Sequence, residues 1–136
     1  MLLVVFFSCG QKGKPKENVV FSASEIDTTL KKTTIKFVTV EHDFGQVREG
    51  EKVTFVYEVL NTGKENLLLQ SVRPSCGCTT PKYDKQPIRP GKKGSIEVAF
   101  DTKGRTGNQR KTILVITNTE PPNTVLSFRG EVVPAE

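Results

Sequence analysis

Tryptophan is absent from this sequence, methionine occurs once, and there is a single histidine, His42. One imidazole excludes the metalloenzymes built on several histidines. A Ser-His-Asp hydrolase would have to use His42, and no nucleophile elbow accompanies it. No apolar run approaches the roughly 20 residues that cross a bilayer as a helix, which excludes a multi-pass helical membrane protein. Nor does any segment hold the i, i+3, i+4 apolar spacing of an amphipathic helix for long. Paired carboxylates for acid–base work are missing too, because the acids are scattered beside turns. No catalytic set is legible, and the chain reads as a non-enzyme.

What is present suits one domain with a short tail: 136 residues, 35% of them hydrophobic and 26% charged. Eleven glycines and eight prolines make turns frequent. The net charge of +5 is shared between two regions: residues 10–34 hold five lysines against three acids, and residues 35–136 hold fifteen basic residues against twelve acids. The basic residues are strewn through turns, without the basic stripe and interleaved aromatics of a nucleic-acid interface, so no nucleic-acid partner is expected.

The N-terminal residues carry a location signal. MLLVVFF (residues 1–7) is followed by Ser8, Cys9 and then lysine-rich polar chain. An apolar run ending at a small residue has the form of a secretory h-region before its cleavage point. With cysteine at the junction it resembles a bacterial lipoprotein signal, in which Cys9 is acylated and becomes the new N-terminus. The protein is then expected to be anchored to a membrane through Cys9. The h-region is short and lacks a basic n-region, as expected if translation starts further upstream. Residues 10–34 keep no period and read as a flexible, disordered tether, whose root-mean-square reach would be about 25–30 Å.

From Ile35 the chain changes character, and 35–136 is expected to be the folded domain. Short apolar segments alternate with turn signals: Ile35–Val40, Val53–Val59, Leu67–Val72, Ser95–Phe100, Thr112–Thr117 and Val125–Val132. Val53, Phe55, Tyr57 and Val59 fall on one face, as do Ile96, Val98 and Phe100. Thr112–Thr117 (TILVIT) is nearly all apolar, as a central strand would be. About seven short strands in this length predict an all-β, Ig-like antiparallel β-sandwich.

Several motifs in order sharpen that expectation. Glu41-His42-Asp43-Phe44-Gly45, Glu49-Gly50, and a strand ending in Asn61-Thr62-Gly63 resemble the opening of Hydin-like domains of the major-sperm-protein superfamily. Ser75-Cys76-Gly77-Cys78-Thr79-Thr80, Ile88 to Gly91, Phe100-Asp101-Thr102 and Gly104-Arg105-Thr106-Gly107 narrow the resemblance to the bacterial domain-of-unknown-function family numbered fifteen-seventy-three. The resemblance implies a seven-stranded Ig-like sandwich, usually in exported or lipid-anchored proteins, often of Bacteroidota-like bacteria. It implies no established activity.

Cys76-Gly77-Cys78 is the sharpest chemical feature, and three readings of it stand. The cysteines form a disulfide, with Gly77 letting the chain turn tightly. Alternatively they stay reduced and hold a soft metal such as Cu(I), with His42 as a further ligand; zinc lacks a fourth protein ligand. Or they exchange disulfides with a partner, assisted by a cationic neighbour such as Arg73. His42 also has a simple role open to it, a hydrogen bond at a strand end. Arg105, between glycines in KGRTG, is either a hairpin-turn charge or part of an anion nest.

These readings converge on a lipid-anchored protein of the bacterial cell envelope, most simply facing the periplasm. It would present an Ig-like domain to an envelope partner as a binding or scaffolding module. A periplasmic thiol-redox or Cu(I)-handling protein is the alternative, and otherwise no cofactor is expected.

Overall fold

The computed structural model describes residues 30–136. The candidate signal and lipidation site at Cys9, and most of the expected tether, lie outside the described residues. Eight strands follow in order: β1 (Ile35–Phe37), β2 (Glu41–Arg48), β3 (Lys52–Asn61), β4 (Leu69–Pro74), β5 (Thr79–Tyr83), β6 (Lys93–Asp101), β7 (Gly107–Thr117) and β8 (Asn123–Val133). They form two four-stranded sheets, ordered β1-β3-β6-β5 and β2-β8-β7-β4. The expected Ig-like sandwich is what forms, with eight strands in place of about seven. All pairings within the sheets are antiparallel except β2 with β8, which is parallel.

Alternation dictates the layers. In β3 and β6 every second side chain turns inward: Tyr57, Val59, Ile96, Val98 and Phe100 are fully buried. From the other sheet, Ile113, Val115, Leu126, Phe128 and Val132 meet them. Rings form the centre of this core. Phe128 lies 5.1 Å from Phe55 and 5.2 Å from Phe100, and Phe55 meets Tyr57 edge-on at 5.2 Å. The Tyr57 hydroxyl crosses between the sheets and donates to the Ser127 carbonyl at 2.5 Å. Burial, and secondly the nearby Glu41 charge, push the Tyr57 phenol well above its ordinary value.

The segment Ile35–Val40, read as one strand, is divided. Ile35–Phe37 pairs with β3; the chain then changes sheets, and β2 runs along β8. β2 carries a bulge between Asp43 and Gln46, where Gly45 has φ +71° and its N–H donates to Asp43 Oδ1 at 2.9 Å. The bulge shifts the phase of the strand, so His42, Phe44 and Val47 all turn inward.

Residues 30–34, expected to end the tether, pack on the domain instead. The Asn118 side chain donates to the carbonyls of Lys31 and Asn66, both at 2.8 Å, and its Oδ1 accepts from the Leu68 N–H at 2.7 Å. The Thr33 hydroxyl donates to Asn61 Oδ1 at 2.8 Å. Asn61, itself fully buried, donates to the carbonyls of Glu65 and Ile88. Two buried asparagines thus fasten the entering chain and the β3–β4 connection, adding to the isolated backbone bridges Thr33–Thr119 and Leu67–Ile88.

Candidate functional site

The β4–β5 connection is the corner where the chain leaves one sheet for the other. β4 is the edge strand of its sheet and β5 the edge strand of the opposite one. Between them lie Ser75, Cys76, Gly77 and Cys78. Ser75 is fixed to β7: its N–H donates to the Thr112 carbonyl at 2.9 Å, and its hydroxyl accepts from the Thr112 N–H at 3.2 Å. At the other end the Cys78 carbonyl accepts from the Asp101 N–H at 2.9 Å. Both cysteines are held on a clamped corner, half-buried, with Gly77 exposed between them.

The two sulfurs lie at bonding distance, with their Cα atoms 5.3 Å apart. Thr79, 4% exposed, sits against both: its hydroxyl is 3.6 Å from Cys76 Sγ and 3.8 Å from Cys78 Sγ. Gly77 does not have the expected role. It is not among the glycines of positive φ, and a Cβ built there meets nothing within 4 Å. The corner closes without a backbone conformation that only glycine tolerates.

A groove of about 290 Å³ opens beside this corner on the outer side of β6. Gly77, Cys78, Thr80 and Ala99 line it together with Lys52, Asp101, Lys103 and Arg105. Register assembles these residues: Lys52 on β3 faces Asp101 on β6, and Thr80 on β5 faces Ala99. None of the three cations forms an ion pair among the described residues. The only carboxylate, Asp101, already accepts from the Lys103 N–H at 3.0 Å.

Arg105 thus lines the groove rather than forming a nest. The neighbouring Gly104 N–H, which would help to form such a nest, donates to Glu49 Oε1 at 3.0 Å, so the chain supplies its own anion there. Sequence reasoning missed Lys52 and Lys103, whose distant positions meet only through the β3–β6 pairing. Arg73, the cation nearest the cysteines in sequence, does not line this groove.

His42 is elsewhere. It lies on β2, at the edge of its sheet opposite β4, and stacks on Phe55 with ring centroids 4.3 Å apart and planes 19° apart. The structure thus does not unite His42 with Cys76 and Cys78 as ligands, and among the described residues no three His, Cys, Asp or Glu side chains group as a metal site. The carboxylates flanking His42 turn outward, where Arg129 lies 3.5 Å from both Glu41 and Asp43, and Arg110 lies 3.9 Å from Glu41. A second open groove, of about 590 Å³, runs over this outer face past Asn108 and Glu131.

Residues 35–132 match the family of proteins of unknown function called DUF1573. The chain belongs to this family. No curated protein matches its sequence. Among solved structures it is similar to a protein of unknown function from Porphyromonas gingivalis W83, at 23% identity and a TM-score of 0.66 over 78% of this chain and 51% of that one. This DUF1573 chain thus spans about half of that protein. It is also similar to the seventh PapD-like domain of human CEP192, with 16% identity and a TM-score of 0.61 over 85% of this chain and 98% of that domain. A third likeness is to the VesB protease of Vibrio cholerae, with 15% identity and a TM-score of 0.57 over 72% of this chain and 31% of that one. Likenesses at such identities establish the fold alone.

Proposed function

We propose that this DUF1573 protein is a lipid-anchored component of the bacterial cell envelope that presents its Ig-like domain toward the periplasm as a binding module. The observation that carries the reading is the Ser8-Cys9 junction, where an apolar run gives way at once to lysine-rich chain leading into the domain. An acylated Cys9 anchors without spanning. A paired Cys76 and Cys78 suits an oxidising compartment and supports export.

The domain binds through its grooves rather than by adding a strand. Its sheet edges are blunted: β1 has three residues, β2 is bulged, and β4 and β5 carry Pro74 and Pro81. Both open grooves are lined by charged side chains, which suits a polar partner surface.

Fractionation of the native host tests the anchor. The wild-type protein partitions with membranes and into detergent, and Cys9→Ser leaves the membrane fraction. Wild-type protein recovered wholly in the soluble fraction would refute the reading.

A further inference from the structure

We propose that the Cys76–Cys78 pair exchanges disulfides with carboxylate-bearing thiols, which Lys52, Lys103 and Arg105 draw into the groove beside it. This goes beyond the binding role and does not depend on the anchor at Cys9.

Three independent observations meet at one corner. First, the bridge links residues two apart. Closing so small a loop restricts the unfolded chain little, so the bridge gains little of the stability against reduction that a long loop confers. Second, the Thr79 hydroxyl, buried against both sulfurs, is placed to donate to whichever sulfur carries charge. Third, Cys78 opens into the groove with three cations and one carboxylate, and those cations have no partner among the described residues. A cationic surround stabilises a thiolate and speeds encounter with an anion.

The thiolate of the incoming thiol attacks Cys76 Sγ, a mixed disulfide forms there, and the Cys76–Cys78 bond breaks. Its electron pair passes to Cys78 Sγ, the leaving thiolate that the groove cations and the Thr79 hydroxyl stabilise. A second thiolate attacks the partner sulfur of the mixed disulfide and releases Cys76 as thiolate. Two thiols are oxidised to their disulfide while the protein disulfide is reduced to a dithiol, and the reverse sequence oxidises the protein. The carboxylate of the incoming thiol is held by the same cations, which makes charge on the carrier the selecting feature.

The experiment measures reduction of the oxidised protein by 3-mercaptopropionate, 2-mercaptoethanol and cysteamine. Rates are expressed per thiolate and divided by those of the same thiols with a small uncharged disulfide. The expected order is anionic, neutral, cationic, with mercaptopropionate about tenfold ahead of cysteamine at low salt. About 1 M salt abolishes the difference, because screening then acts within roughly 3 Å. The Lys52→Gln/Lys103→Gln/Arg105→Gln variant, which keeps both cysteines, loses most of the anionic preference.

As a second readout, in a Cys9→Ser background, alkylation of Cys76→Ser follows the remaining Cys78 thiol. Its reactivity rises at lower pH than that of Cys76 in Cys78→Ser, and the charge substitutions abolish that gap. Equal normalised rates for the three thiols would overturn the proposal. So would an unaltered preference in the charge variant, or cysteines that stay free in the presence of the oxidised thiols. None of these results would bear on membrane anchoring.

Discussion

The ring of Phe44 packs against Gly130, so close that a Cβ on that residue would fall 2.2 Å from the ring. Phe44 thereby reaches inward past β8 to within 5.8 Å of Phe100 and 6.3 Å of Phe128. The bulge at Gly45 and the missing side chain at Gly130 together let a parallel edge strand contribute to the core. Gly130→Ala is expected to destabilise the domain by about 1–3 kcal/mol, since the ring must move out of packed surroundings. Chemical denaturation of the purified domain checks this; an unchanged midpoint would contradict the packing described.

Gly77→Ala is the contrasting substitution. The position is exposed, its φ is not positive, and a Cβ there meets no atom. Its effect on stability is expected to stay within about 0.5 kcal/mol, as at an ordinary surface site. A loss as large as that at Gly130 would show that the corner needs glycine after all.

Tyr57 gives the fold an alkaline limit. Its folded-state pKa is raised from the ordinary tyrosine value of 10.0, by burial and then by Glu41. Above that value the unfolded chain releases the phenolic proton while the native state retains it. The tyrosine's contribution is therefore complete below about pH 10 and falls as pH rises further. Tyr57→Phe removes this dependence. It also leaves the Ser127 carbonyl without the Tyr57 hydrogen bond, at a cost of about 1–2 kcal/mol near neutral pH. Urea titrations at neutral pH and above pH 10 check both effects.

Thr102 is fully buried at the turn after β6; its hydroxyl donates to the Glu51 carbonyl at 2.6 Å and accepts from the Gly50 N–H at 2.9 Å. Thr102→Val keeps the shape and orphans both groups, and is expected to cost about 1–3 kcal/mol. Hydrogen exchange should show the Gly50 amide losing protection ahead of the core strands. Protection that falls uniformly would contradict a local role.

The sequence made the central strands legible and the edges obscure. In β3 and β6, burial on one face leaves a clean alternation, and TILVIT is apolar because β7 lies inside its sheet. β2 escaped notice because Glu41–Arg48 is mostly polar and its bulge breaks the period-two pattern. β5 escaped notice because Pro81 interrupts Thr79–Tyr83, which an edge strand tolerates. The cysteine corner was visible as a motif, whereas its cations were not. Lys52 is brought to Lys103 and Arg105 only by pairing across the sheet.

Intact mass spectrometry of the protein from native membranes tests the account's central claim most directly. The account predicts a chain beginning at Cys9 that carries a diacyl or triacyl mass, with Cys76 and Cys78 open to alkylation only after reduction. A chain that retains the residues before Cys9 and carries no lipid would contradict it.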